Sequence, residues 1–467
     1  MGTAKGLRKN EVNMLSGSIV KGLLAISIPI MIMNVSQNLF NIIDLKVLSD
    51  FVNDDAVGAV GTCATLISLI TGLLIGISSG ANVVISRHIG SGDSEGVEKA
   101  VGTAVLFSVV GGIAFAIIGI ALAEVFLIYV MNCPEELLAQ AVTYFRLYFL
   151  GVPILMLYNF CAAILRAMGD SRRPMIFMLI GGAVKVGSNI FFIVVLNLTV
   201  EGVALATILS WAIAGGLSLY VLCKNNGTVK LKFSRLRFYG KELKEILMVG
   251  IPAGLQTALY SVANVVITSA VNLEGKAATT GQSIATQYDA IIYQITYAPS
   301  LAIMPYVSQN IGNKNLERAK QSILKGCLIA TVLGVIFGGS FALFSYYLAG
   351  FMTNDPLIIA YAQQRLILIS ATYFLNGIKC VLDAALIGMK KSIIPTISAL
   401  VFQCLIRFPW VWFIYPLMKG NLTFLYLIWP IGWVLGIVTL LCFLFPVLKK
   451  VKKEIQNELS ITEETAE

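Results

Sequence analysis

Stretches of 20 or more mostly apolar residues recur along the whole chain, separated by short polar segments. Each is long enough to cross a bilayer core of ~30 Å as a helix. Twelve are read, at about 18–48, 55–82, 98–124, 135–165, 175–196, 201–222, 243–271, 283–308, 320–347, 356–387, 393–417 and 422–447. The longer ones must tilt, kink or run into the interface. Period-two alternation in ten-residue segments is absent, which argues against an outer-membrane barrel. Prolines inside or near the spans (Pro29, Pro153, Pro252, Pro299 and Pro305) predict kinks, with a bending point between the last two.

The pattern repeats. SIVKGLLAISIPIMIMNVSQNLFNIID (Ser18 to Asp44) returns as ELKEILMVGIPAGLQTALYSVANVVIT (Glu242 to Thr268), with Pro29 matched to Pro252. VVISRHIGSGD (Val83 to Asp93) returns as PYVSQNIGNKN (Pro305 to Asn315), and AMGDSRRP (Ala167 to Pro174) as GMKKSIIP (Gly388 to Pro395). The offsets are 223, 222 and 221 residues. Three separated matches at a nearly constant offset imply an internal duplication. The expected fold is an all-α polytopic membrane protein, its twelve transmembrane helices forming two six-helix lobes. The expected divisions are an N-lobe over 1–222, a basic linker over 223–242, a C-lobe over 243–448 and a tail over 449–467. With six spans per lobe, both repeats start on the same side and are related by an axis along the membrane normal.

Composition agrees: 57% of residues are hydrophobic, against 13% charged, where a soluble domain carries about 25% charge. Lys5, Arg8, Lys9 and Lys21, Arg87 and Lys99, Arg172 and Arg173, the linker, Lys314, Arg318 and Lys320, Lys390 and Lys391, and the tail all fall on one side of a twelve-span plan. The other side has few basic residues, chiefly Lys276 and Lys419. That asymmetry places both termini in the cytoplasm of a cell (inner) membrane protein. The net charge of +9 therefore reflects topology, and no soluble basic face speaks for nucleic acid. No cleavable signal peptide is read at the N-terminus. The eight cysteines lack CxxC pairs or histidine partners and read as buried thiols, with no metal site. His88 reads as a solvated loop residue. No P-loop and no nucleophile–base or metal cluster occurs, so an enzyme is not expected and an ion gradient remains the obvious drive.

The stretch IPIMIMNVSQNLFNIID, the run GVALATILSW (Gly202 to Trp211), the segment SQNIGNKNLERAKQ and IGWVLG (Ile431 to Gly436) resemble the multidrug and toxic compound extrusion (MATE) family over nearly the full chain. The resemblance implies an antiporter that expels organic cations or other amphiphilic drugs or metabolites in exchange for protons or sodium. Two six-helix lobes with a cavity between them make alternating access by rocking of the lobes the expected mechanism, with no cofactor beyond the coupling ion and a monomeric protein expected.

Ionisable residues at bilayer depth are functional candidates by default. Asp44 follows Gln37, Asn38 and Asn41 on roughly one face of the first span. It matches the first-helix aspartate that DinF-like members use for cation coupling. In that branch Asn, Asp and Thr surround the aspartate; here the matching positions are Lys185, Asn189 and Thr207. The resemblance therefore brings Lys185 to Asp44, as a pair that either switches during transport or locks the lobe, and sodium fits the N-lobe poorly. Lys46 is expected to snorkel to the interface. Span 7 has Gln256 and Asn264 and no acid, unlike NorM-like members. Span 8 offers Asp289 as a second coupling or recognition residue, with Tyr293, Gln294 and Tyr297 beside it as substrate-cavity candidates together with Gln37, Asn38, Gln256 and Asn264. Asp383 is four residues from Lys379, spaced for an intrahelical pair. Arg407 is expected to stack beside Phe408 and Trp410. Two other readings stand: a flippase for lipid-linked saccharides on the same two-lobe plan, and a non-transporting sensor.

Overall fold

The computed structural model describes residues 11–52, 54–131, 133–225, 229–418 and 421–464. Lys5, Arg8, Lys9 and Lys419, residues 226–228 of the linker and 465–467 of the tail lie outside the described residues. No strand occurs among the described residues. The long helices are α1 (Ile19–Phe51), α2 (Asp54–Ser91), α3 (Ser94–Ala121), α4 (Glu135–Ala167), α5 (Arg172–Val195), α6 (Val200–Lys224), α7 (Gly240–Asn272), α8 (Lys276–Gly312), α9 (Leu316–Leu343), α10 (Pro356–Gly388), α11 (Ile393–Leu417) and α12 (Leu422–Glu458). Ten are long and apolar enough to cross a membrane; α7 and α8 have the length, 33 and 37 residues, but α8 carries Gln282, Asp289 and Gln294 along its course. Several helices run past the apolar spans into the polar segments: α2 reaches Ser91 and α3 begins at Ser94, so His88 lies in the last turn of a helix rather than in a loop.

Packing divides the described residues into two compact units: 11–12, 28–89 and 93–254 in one, 13–27, 90–92 and 255–464 in the other. Each is built on one central helix. In the first unit α4 packs on α3 and α6, and α5 on α6. In the second α10 packs on α8, α9 and α12. The pairs α3–α4 and α4–α6 thus recur as α9–α10 and α10–α12. Both central helices need neighbours without side chains. A Cβ on Gly112 of α3 would lie 2.6 Å from the Pro153 Cα of α4, and one on Gly338 of α9 would lie 2.2 Å from the Ser370 carbonyl oxygen of α10. Large apolar residues such as Ile113, Ile117, Val335 and Phe413 remain on the outside. A coat of this kind suits lipid and not water.

The duplication holds down to single hydrogen bonds. Asp93 and Asn315, 222 residues apart, cap α3 and α9 by accepting from the amides of Gly96 and Arg318 at 2.8 and 3.0 Å. The turn before each cap closes with the same bond, Asp93 N–H to His88 C=O and Asn315 N–H to Asn310 C=O. The α4–α5 and α10–α11 turns match as well: Asp170 donates to Leu165 C=O and Lys391 to Leu386 C=O. Left-handed backbone sits at the same place in each copy, at Gly92 (φ +73°) and Lys314 (+58°), and at Gly169 (+87°) and Lys390 (+61°). The first copy uses glycine, which adopts this conformation without strain; the second tolerates lysine.

Candidate functional site

Asp44 is buried near the C-terminal end of α1, and α5 brings two side chains to it. The Lys185 Nζ lies 2.5 Å from Asp44 Oδ2, and Asn189 Nδ2 donates to Oδ1 at 2.5 Å. Lys185 and Asn189 are one turn apart, so a single helix face holds both carboxylate oxygens. The pair is almost dry: the two side chains are 9% and 8% exposed. Lys185 also donates to Asn41 Oδ1 at 3.5 Å, one turn before Asp44. Immediately after Asn189, α5 widens into a π-type turn over Phe191–Val195, a deformation frequent at functional sites.

Thr207 is buried on α6, where its hydroxyl donates to the Val203 carbonyl at 2.8 Å. Its hydroxyl is therefore engaged by its own helix. Gln37 and Asn38 are half-buried on α1, and the Asn38 Nδ2 is fully enclosed with no hydrogen-bond partner. Lys46 points away and pairs with Asp50 at 2.6 Å, well exposed.

The second unit holds two further pairs. Arg365 of α10 donates from Nε (3.1 Å) and Nη2 (2.9 Å) to the same oxygen of Asp289 on α8. Its guanidinium also reaches Gln282 Oε1 at 3.4 Å and stacks over Trp429 and Tyr426, 4.8 and 5.4 Å from the ring centroids. Lys379 pairs with Asp383 one turn on at 2.7 Å, and Gln256 of α7 donates to the same Asp383 oxygen at 2.9 Å. Tyr260 meets the Lys379 ammonium by hydroxyl and ring face. A buried charge is tolerated only with partners of this quality. Of the cavity candidates, Tyr293 and Tyr297 stack nearly parallel, with centroids 5.3 Å apart and planes 12° apart. Gln294 is half-buried between them in sequence, and Asn264 is exposed on α7. Arg407 differs from its expectation: it stacks on Trp429 of α12 (5.0 Å) instead of on its neighbours Phe408 and Trp410. The pairing of Asp289 with Arg365 spans 76 residues and two helices, so no local spacing announced it.

Apolar helices in two duplicated copies, with ion pairs enclosed inside each, follow the plan of a multi-pass membrane transporter. The chain belongs to the MATE family: the profile of the MatE family matches residues 29–195 and 252–413. It is 27% identical to the probable multidrug resistance protein YpnP of Bacillus subtilis over 393 residues, 84% of this chain and 88% of that one. It is 24% identical to the FAD transporter of Shewanella oneidensis over 403 residues, 85% of this chain and 87% of that one. Its fold matches the outward-facing conformation of a multidrug resistance MATE family transporter of the MOP superfamily, with a TM-score of 0.89 over 96% of this chain and all of the other at 22% identity.

Proposed function

We propose that this protein is a secondary active antiporter that exports amphiphilic or cationic organic compounds in exchange for protons by alternating access between its two lobes. The observation that carries the reading is the Asp44–Lys185–Asn189 cluster. It is a buried carboxylate whose positive partner belongs to the protein itself. Lys185 stands where a bound cation would otherwise balance Asp44. A proton arriving on Asp44 removes the attraction and frees the ammonium, which keeps Asn41 as a partner. Loss of that proton restores the pair. The cycle couples charge at Asp44 to a rearrangement of α1 against α5, and a resident ammonium makes sodium the poorer coupling ion.

The relatives' names support export of drug-like compounds. Asp44 in the first helix, and the absence of an acid from residues 246–271 of α7, favour placement nearer the DinF-like than the NorM-like branch. The lysine and arginine asymmetry supports an inner-membrane protein with both termini cytoplasmic, and we read it as a monomer.

The test is ethidium efflux from drug-sensitive cells expressing wild type, Asp44→Asn or Lys185→Asn, with and without a protonophore. Efflux that stops with the protonophore and in Asp44→Asn is expected. Lys185→Asn with unchanged coupling would sink the switching role of the lysine, and unaffected efflux in Asp44→Asn would sink proton coupling through this site.

A further inference from the structure

The duplication relates the Asp44 cluster to a second place in the chain. At the offset of the first repeat, 223, Asn41 corresponds to Asn264 and Asp44 to Ile267. The third repeat enters at 221, matching Pro174 to Pro395. Helix α11 then widens over Leu400–Leu405. A π-type turn accommodates one extra residue, so beyond it the offset becomes 222. At 222, Lys185 corresponds to Arg407 and Asn189 to Val411.

The hydrogen bonds support this register. Lys185 donates to Asn41 Oδ1 at 3.5 Å, and Arg407 Nη1 donates to Asn264 Oδ1 at 2.8 Å. The second copy has therefore kept the cation and its amide partner and replaced both groups that held the carboxylate end, Asp44 by Ile267 and Asn189 by Val411. Arg407 is 2% exposed, and no carboxylate lies within ion-pair distance of it among the described residues. Arg365, which stacks on the same Trp429 ring, is itself paired with Asp289. Two guanidinium groups thus share one indole, and of the two only Arg365 has a carboxylate partner among the described residues. A second widened turn, Trp410–Ile414, follows Arg407, so the residue sits on the short α-helical piece between two deformations. Its amide partner Asn264 is exposed, which leaves the group approachable from that side.

A buried guanidinium without a counter-charge is costly unless something supplies one. We propose that Arg407 is an anion-recognition residue: with Asn264 and Trp429 it receives the carboxylate, sulfonate or phosphate of an amphiphilic aromatic cargo. This deepens the export reading and rests on it for the notion of cargo. Arg407 suits the task, since its planar fork matches an oxyanion in two-point contact, and Trp429 already orders the fork from one face. Substrates of this protein would then include zwitterions and organic anions, recognised in the half that has no counterpart of Asp44.

The test is binding, which does not depend on turnover. Dansylglycine and dansylglycinamide share one aromatic body and differ in a carboxylate. Each is titrated into the purified full chain in phosphatidylcholine nanodiscs, with empty discs subtracted. Wild type is expected to bind the acid about tenfold or more tightly than the amide, the factor a charge-assisted hydrogen bond supplies. Arg407→Gln and Ile267→Asp, which restores the acid of the first copy, are each expected to erase the difference; Arg407→Lys retains part of it. Equal binding of the two probes by wild type, no binding of the acid, or a preference that survives both Arg407→Gln and Ile267→Asp would overturn the proposal. Loss of the preference when phosphatidylglycerol is added would reassign the site to a lipid headgroup and overturn the cargo role. Loss of ethidium efflux alone would strike the export reading and leave this result standing.

Discussion

Removing Lys185 and removing Asp44 should destabilise the protein in opposite directions of pH. The pair is enclosed, with side chains 9% and 8% exposed and 2.5 Å between charges. Deleting one partner of such a pair costs about 3–5 kcal/mol, because it strands a charge where water cannot reach it. The stranded group has an escape, which is to become neutral, and the cost of that escape is an upper bound. For an ordinary aspartate, protonation at pH 7 costs about 4 kcal/mol, and at pH 5 about 1.5. For an ordinary lysine, deprotonation costs about 4.6 kcal/mol at pH 7 and about 7 at pH 5. Lys185→Met leaves the acid, so its penalty is capped near 4 kcal/mol at pH 7 and shrinks on acidification. Asp44→Asn leaves the ammonium, so its penalty does not shrink and is free to grow. The double variant strands nothing and should recover most of the loss.

The assay is thermal unfolding of the purified chain in detergent at pH 5 and pH 7, followed by tryptophan fluorescence, for wild type, both single variants and the double. The expected coupling at pH 7 is at least about 2 kcal/mol, well above the ~0.2–1 kcal/mol of exposed pairs. Additive single effects would show that the two charges do not depend on each other. The same pH trend in both single variants would show that solvent reaches the pair. Either result would refute the reasoning and weaken the switching role with it.

Arg365→Met should strand Asp289 and cost about 3–5 kcal/mol, and Arg365→Lys should recover little, because a lysine cannot supply two donors to one oxygen while stacking on Trp429; thermal unfolding checks both. Lys390→Gly should stabilise by up to about 1 kcal/mol by relieving left-handed backbone at φ +61°, while Gly169→Ala should destabilise, since its Cβ would lie 2.5 Å from the Val12 carbonyl oxygen. Asp93→Ala should cost about 1 kcal/mol through loss of the α3 cap. The Gly96 amide, with His88 at 2.9 Å, holds the Asp93 carboxyl below the usual aspartate range against partial burial. Its contribution is therefore present above the unfolded aspartate pKa and fades as pH falls through the lower folded value, so wild type and Asp93→Ala should converge in stability in acid.

Much of the architecture was legible because membrane helices write themselves as long apolar runs and a duplication writes itself as an offset. The helix ends were less legible. Hydropathy stops where the bilayer does, whereas α2 continues to Ser91 on backbone hydrogen bonds and ends only where Gly92 turns left-handed. Pairing was legible only where it is local or inherited. Lys379 and Asp383 are one turn apart, and spacing alone brings them together. Lys185 was connected to Asp44 through family resemblance, since nothing in the spacing of α1 and α5 links them. Arg365 and Asp289, on different helices, had neither aid. Trp429 as the platform for Arg407 was hidden for the same reason, and Phe408 and Trp410, near in sequence, were the misleading choice: Phe408 is adjacent and faces another way, and the Trp410 indole donates to the Phe424 carbonyl at 3.0 Å.

The unequal fate of one ancestral position in the two copies explains why a duplicated protein would retain a buried cation twice. In the first copy the cation is answered from within, by Asp44, and on the proposed mechanism one proton would empty the site of its attraction. In the second the answering acid is gone, replaced by the buried Ile267, while the cation and its asparagine remain. Were Arg407 only a relic, the least costly repair would have been to remove it too, because a well-packed apolar residue is often as stable as a buried ion pair and more stable than half of one. Its place in the folded core, clasped by Asn264 and Trp429 between two widened turns, is what the proposed anion site accounts for: the charge is met when cargo binds. In the proposed exchanger, a proton-answered site in one copy and a ligand-answered site in the other would supply two distinct handles, one for the driving ion and one for the cargo, derived from a single ancestral constellation.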